Sequence, residues 1–137
     1  MQSTEATGPV RIFLVGLSEG FARSVARYVS SDPHVALTGV VPSFALGHLL
    51  LSTTQPDLAL LDWGVLNGSP RDAVQALRLS QPGLRIVCVA NEAEPYCAAA
   101  AHAGADAVIS KDGFAGEFES LLHDVFPRRF GASGATG

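Results

Sequence analysis

The sequence predicts an α/β fold, (βα)5, with five parallel strands in one doubly wound sheet. Five short apolar runs are bounded by Gly, Pro or polar residues and are too short for helices. Most are continuously apolar, as strands covered on both faces are, and a helical period follows each. The chain has 137 residues, a length typical of one domain. The runs are RIFLVG (11–16), HVALTGVV (34–41), DLALLD (57–62), LRIVCVA (84–90) and AVIS (107–110).

The first two helices are predicted from periodicity and from proline. The first has an apolar stripe with two arginines on the opposite side, and it stops before Asp32-Pro33 because the residue before a proline disfavours helix. The second begins after Pro42-Ser43. The stripe is Phe21, Val25 and Val29, and the arginines are Arg23 and Arg27.

The last three helices have recognisable ends or faces. Ser69 is a predicted N-cap with Pro70 at the first helical position, and the Ala-rich fourth helix runs from about Tyr96 to Gly104. The fifth helix shows a single apolar stripe. The inner face of the third is Ala73, Val74 and Leu77, and the stripe of the fifth is Phe114, Phe118, Leu121, Leu122 and Val125.

Strands and helices alternate along the chain with short connections between them. This arrangement implies right-handed crossovers and, most simply, the flavodoxin-like strand order 2-1-3-4-5. In such sheets ligands bind at the carboxyl ends of the strands, near the switch point between strands 1 and 3. Four apolar residues lead directly into Asp62 at the end of strand 3. We therefore expect this carboxylate to leave the core at the functional edge.

Composition and chain ends limit the classes of function. The predicted domain spans 10–126, with a flexible tail at 1–9 and a tail or linker start at 127–137 that includes GASGATG. Thirteen acidic and nine basic residues give a net charge of −4, without the basic run that nucleic acid or an anionic membrane requires. Without a signal-like start or an apolar run near 18 residues, we expect a cytoplasmic protein that neither crosses nor binds a membrane.

Two segments, PDLALLD (56–62) and AGADAVISK (103–111), closely resemble the receiver domain of two-component response regulators, and the resemblance covers about residues 10 to 126. It implies that Asp62 occupies the phosphoacceptor position and that Lys111 occupies the position contacting the phosphoryl group. Receivers also hold Mg²⁺ through this aspartate, acids just after strand 1 and a backbone carbonyl, here that of Gly64.

The sequence departs from the receiver pattern at the metal site. The two positions that should be acidic are Gly16 and Leu17, neither of which can ligate a cation. Glu19 is the candidate substitute ligand beside Asp62 and Gly64, but at a helix start we expect it to interact with the first turn and solvent. We therefore expect no cofactor, Mg²⁺ included.

The switch positions also depart. Receivers carry a Ser or Thr at the end of strand 4 and an aromatic residue three before the lysine, and these are Ala90 and Val108 here. The predicted domain is thus a degenerate receiver whose signalling does not depend on the usual aspartyl phosphate. We expect Asp62 to pair directly with Lys111; the alternative is that both are solvated strand ends.

Several other side chains are predicted to have structural roles. His48 is expected to be hydrogen-bonded and partly buried, and Cys88 and Cys97 to be reduced thiols used as small apolar side chains. The remaining histidines fall on different elements and predict no metal cluster. Leu46, Leu49 and Leu50 are expected to project from the second helix, where a cluster could bind a partner.

The sequence therefore predicts a non-enzymatic module of two-component or phosphorelay signalling that acts by protein–protein interaction. The expected surfaces are a homodimer face formed by helix 4, strand 5 and helix 5, or the second helix, and the resemblance implies a histidine kinase as a partner. Two alternatives stay open. One is a working receiver phosphorylated on Asp62, and the other is the regulatory domain of a transcription factor whose DNA-binding domain follows residue 137.

Overall fold

The computed structural model describes residues 8–66, 69–92 and 94–127. It contains one parallel sheet in the order β2-β1-β3-β4-β5, which confirms the predicted topology. Single-turn 3₁₀ helices follow β3 at Trp63–Val65 and precede α4 at Glu94–Tyr96. The elements are β1 Val10–Val15, α1 Glu19–Ser30, β2 Val35–Val41, α2 Phe44–Thr54, β3 Leu58–Asp62, α3 Pro70–Ser80, β4 Arg85–Ala90, α4 Cys97–Ala103, β5 Ala107–Ser110 and α5 Phe114–Val125.

Local signals in the sequence set the helix ends. Ser18, Ser43 and Ser69 are the N-caps of α1, α2 and α3, and each hydroxyl accepts a backbone N–H from the first turn. Gly104 ends α4 with φ 102°, a left-handed conformation that suits glycine. These short-range bonds explain why the predicted and observed boundaries agree.

The sheet separates two hydrophobic layers. On one face α1 and α5 bury Val25, Val29, Phe118 and Leu122. On the other face α2, α3 and α4 bury residues that include Leu51, Val74, Leu77 and Ala103. Because both faces are covered, the side chains of the inner strands β1, β3 and β4 are mostly buried, as the continuous apolar runs predict. In the edge strands β2 and β5 most residues are half-buried.

Helix α2 lies close to the sheet because Gly47 has no side chain. A Cβ at this position would lie 3.0 Å from Cγ2 of Val15 and 3.4 Å from a methyl of Val41.

His48, the next residue, is half-buried and stacks on Phe44, and its Nε2 lies 2.9 Å from the hydroxyl oxygen of Ser80. The predicted environment of His48 is therefore confirmed.

Two predictions about exposure are wrong. Leu50 is half-buried and packs against the α2–α4 side of the core, because it lies at the flank of the buried stripe. Cys97 is exposed at the start of α4, so only Cys88, inside β4, serves as a small apolar side chain. Leu46 and Leu49 are exposed as predicted.

Of the predicted tails, only residues 8, 9 and 127 lie within the described part of the chain. None of the described helices is long and apolar enough to cross a membrane.

A matched pair of leucines tests the assignment of the core. Leu122 in α5 is 1% exposed and Leu79 in α3 is 85% exposed. We expect Leu122→Ala to lower the free energy of unfolding by about 3–5 kcal/mol, because it leaves a cavity. Leu79→Ala should change it by less than about 0.5 kcal/mol. Chemical denaturation measures both, and equal losses would contradict the assigned packing.

Candidate functional site

Asp62 ends β3 at the carboxyl edge of the sheet. Four buried residues precede it, and its own side chain is 19% exposed. Oδ1 accepts the backbone N–H of Gly64 at 2.8 Å, so the carboxylate caps the short 3₁₀ turn that begins at Trp63. The turn thereby fixes the direction in which the second carboxylate oxygen points.

Lys111 follows β5 at the same edge. Its backbone N–H donates to the carbonyl of Ala90 at 2.9 Å, which extends the pairing of β4 and β5 by one residue. Glu117 in α5 accepts the backbone N–H of Ser110 at 2.9 Å and the Ser110 hydroxyl at 2.7 Å. Two elements therefore hold the turn that carries the lysine.

The two side chains form a direct ion pair. Nζ of Lys111 lies 2.9 Å from Oδ2 of Asp62, and the lysine side chain is 28% exposed. The ammonium also lies 5.8 Å from the ring centroid of Phe21, in the range of a cation–π contact. The predicted direct pairing is confirmed, and the lysine has both an anionic and an aromatic neighbour.

A cavity of about 210 Å³ lies beside the pair. The rings of Trp63 and Tyr96 form one side, with centroids 5.6 Å apart and planes inclined by 45°. The cavity therefore has one wall of aromatic rings and one of charged groups. Its lining residues are Asp62, Trp63, Gly64, Ala90, Asn91, Tyr96 and Lys111.

The positions expected to be acidic in a receiver carry no oxygen ligand from a side chain. Gly16 adopts φ 75°, and its N–H donates to the carbonyl of Val41 at 2.9 Å. Leu17 packs against the α1–α5 side of the core. Glu19 is the first residue of α1 and pairs with Arg23 at 3.2 Å, with its side chain 88% exposed. Within the described ranges, no three His, Cys, Asp or Glu side chains are grouped closely enough to hold a metal ion.

The switch positions are apolar and inside the fold. Ala90 is buried at the end of β4, and Val108 is half-buried in β5 opposite Cys88.

Burial, with a smaller contribution from the negative charge of Asp62, raises the pKa of the Cys88 thiol to about 12. Cys88 is therefore a neutral core side chain and not a reactive group of the site.

Several residues near the pair were not predicted from the sequence. Glu117, Phe21 and Tyr96 reach the site from three different helical segments. The one local pattern that indicates this turn is a serine, Ser110, directly before the lysine, with Glu117 seven residues later. Such a pattern is too common in sequences to be specific. Their roles depend on tertiary contacts.

No protein-family model matches the sequence, and no curated protein matches it. Solved structures match its fold. The signal receiver domain of NarL from Mycobacterium tuberculosis superposes with a TM-score of 0.76 and 23% identity, covering 88% of this chain and 98% of that one.

Two further structures agree. The response regulator domain of CheB from Thermotoga maritima gives a TM-score of 0.72 at 17% identity, covering 87% of this chain and 97% of that one. A chain from the complex of the CheA3 P1 domain with CheY6 from R. sphaeroides gives 0.75 at 19% identity, covering 86% and 97%. This chain therefore has the receiver fold of two-component response regulators.

A double-mutant cycle tests the energetic coupling between Asp62 and Lys111. Breaking a fully buried pair costs about 3–5 kcal/mol, so we expect this partly exposed pair to cost about 1–2 kcal/mol in either Asp62→Asn or Lys111→Met. Each single change leaves the other charge half-desolvated. The double variant should lose less than the sum of the two, because the coupling is counted in each single change.

Chemical denaturation of all four proteins measures the cycle. Arg23→Met is a matched control, because it removes an exposed cation that pairs within α1 and should change stability by less than about 0.5 kcal/mol. An Asp62→Asn variant clearly more stable than the parent would show that the carboxylate is strained and not stabilised by the lysine.

Proposed function

We propose that this chain is an atypical receiver module of a two-component or phosphorelay pathway in the cytoplasm. It acts by protein–protein interaction without depending on phosphorylation of Asp62. The observation that carries the proposal is the 2.9 Å ion pair between Asp62 and Lys111, where the phosphoacceptor and phosphate-contacting residues of a receiver would lie.

The charge of the site supports this proposal. Phosphoryl transfer to a carboxylate needs cations that neutralise the charge developing on the phosphoryl group. Mg²⁺ demands near-octahedral oxygen coordination. Here one carboxylate oxygen faces an ammonium and the other accepts the N–H of Gly64, while Gly16 and Leu17 offer no side-chain oxygen. The residues do not fit a receiver-type Mg²⁺ site, and we assign no step to a metal.

The side chains that would relay phosphorylation give the same indication. The methyl group of Ala90 cannot donate a hydrogen bond to a phosphoryl oxygen. Val108 is a half-buried branched side chain with no ring to move between two positions. Both substitutions remove a means of converting a charge at Asp62 into a change on the far surface.

A protein partner fits the remaining surface. The matched complex contains CheY6 with the P1 domain of CheA3, and a kinase or another signalling protein is the corresponding partner class here. Two faces of this chain are suited to such contacts. One is the α4–β5–α5 face, where an open groove of about 600 Å³ follows β5 and α5. The other is α2, where Leu46 is 38% exposed and Leu49 is 71% exposed.

The first test is phosphorylation by a small phosphoryl donor with Mg²⁺, read by intact mass. We expect no stable adduct, because the site offers one carboxylate and that carboxylate is already paired. A receiver domain that retains its acidic pair, treated in parallel, shows that the donor is active. Trp63, the only tryptophan, adjoins the site and should show no saturable fluorescence change with Mg²⁺.

The opposite result is equally clear. An adduct of one phosphoryl group that disappears in Asp62→Asn, together with saturable quenching of Trp63 by Mg²⁺, would establish a working phosphoacceptor. The proposal of phosphorylation-independent signalling would then be wrong.

A second test concerns self-association. Leu46→Glu with Leu49→Glu places two charges on the exposed face of α2, and Ala101→Arg with Ser120→Arg does the same on the α4–β5–α5 face. All four sites are exposed, so stability should change by less than about 0.5 kcal/mol per site. We expect one pair of changes to abolish a homodimer seen by analytical ultracentrifugation and the other to leave it intact. Leu79→Glu on α3 is the matched control, and a homodimer that survives both pairs excludes both faces.

A further inference from the structure

A groove between α3 and α4 lies outside the candidate site and encloses about 410 Å³. This volume is within the range of pockets that bind small organic molecules, about 300–1,000 Å³. Five lining residues belong to α3, and their spacing of three or four places them on one helix face. The lining residues are Arg71, Val74, Gln75, Arg78, Leu79, His102, Ala103 and Gly104.

The groove has basic groups that are not neutralised. Among the residues that the structure describes, neither the guanidinium of Arg71 nor the ring of His102 has a hydrogen bond or an ion pair. None of the described residues that line the groove is acidic. Asp72, next to Arg71 in sequence, is exposed and is not among the described residues that line the groove.

Arg78 has a different role, since three hydrogen bonds hold its guanidinium. It donates to the carbonyls of Leu84 and Gly104 at 2.6 and 2.9 Å and to Asp106 at 2.9 Å. Asp106 also accepts the backbone N–H of Ile86 at 2.7 Å. These bonds tie α3 to the loops before β4 and β5, so the groove has a fixed base, and Asp106 is not available to neutralise Arg71.

The rest of the groove is apolar. Val74 and Ala103 are buried at its floor, and Leu79 stands at its rim with 85% of its surface exposed. A ligand that packs against Leu79 removes apolar surface of both the leucine and the ligand from water, which favours binding. The groove thus combines an apolar floor with the guanidinium of Arg71 and the ring of His102, which suits a ligand that has an apolar body and an anionic head.

We propose that the α3–α4 groove is a binding site for a small organic carboxylate, with the carboxylate at Arg71 and His102 and the apolar body on Val74, Ala103 and Leu79. The guanidinium donates two parallel hydrogen bonds to a carboxylate, and His102 can add a ring N–H. The chain has a net charge of −4, so the attraction is local to this groove. The groove shares no residue with the Asp62–Lys111 pair. The result of the phosphorylation test therefore neither supports nor contradicts this proposal.

The test is an NMR titration of the full ¹⁵N-labelled chain with three probes: hexanoate, 1-hexanol and acetate. Hexanoate has both parts of the proposed ligand, whereas each of the others lacks one. We expect hexanoate to shift the backbone signals of Arg71, Gln75 and Ala103 along saturable curves, and the other two to bind at least about fivefold more weakly. Arg71→Gln should weaken hexanoate about fivefold, as expected for the loss of one partly exposed charge pair.

Arg27→Gln is the matched control, because Arg27 is an exposed helical arginine on α1, at the other face of the sheet. It should leave hexanoate binding unchanged. Non-saturating shifts, equal binding of 1-hexanol or acetate, or equal weakening by both arginine variants would each overturn the proposal. A short glutamate-rich peptide that occupies the same residues more tightly than hexanoate would overturn it as well, because the carboxylates would then come from a protein partner.

Discussion

The ion pair between Asp62 and Lys111 determines the character of the carboxyl edge of the sheet. The two residues end β3 and β5, and β4 lies between these strands, so the pair bridges the end of β4. A partly buried charge is costly unless an opposite charge compensates it. Each residue supplies that compensation for the other, and the capping bond from Gly64 and the Glu117 bonds to Ser110 keep both in place.

This balance of charge also limits the chemistry of the edge. A site with several carboxylates has excess negative charge, which attracts a divalent cation. Here the nearest equivalents are a glycine in a left-handed conformation, a leucine packed in the core and a glutamate paired with Arg23 in solvent. One carboxylate and one ammonium neutralise each other and leave little net charge to recruit a metal ion. The same substitutions therefore explain both the direct pair and the proposed independence from phosphorylation.

The two sides of the sheet differ in how they meet solvent. On the α1–α5 side, Phe21 and Tyr28 contact the ring of Phe114 edge to face, and Phe114 stacks on Phe118 with centroids 4.8 Å apart. These interlocked rings close that layer. On the α2–α4 side, leucines at 46, 49 and 79 are exposed and a groove separates α3 from α4. The exposed leucines and the α3–α4 groove therefore lie on the second side, and a further groove lies along β5 and α5.

The sequence by itself determined the strand order, the element boundaries and the pairing of Asp62 with Lys111. The reason is that these depend on short-range signals: apolar runs, serine caps, Pro70 and Gly104, together with topology rules that bring strand ends to one edge. Tertiary structure alone decided that Leu50 packs inward, that Cys97 is exposed, and that Glu117, Phe21 and Tyr96 surround the pair. These depend on how far each helix is rotated against the sheet and on contacts between residues distant in sequence. The α3–α4 groove has the same origin, because its basic groups come from helices separated by a strand and become neighbours only when both pack on one face.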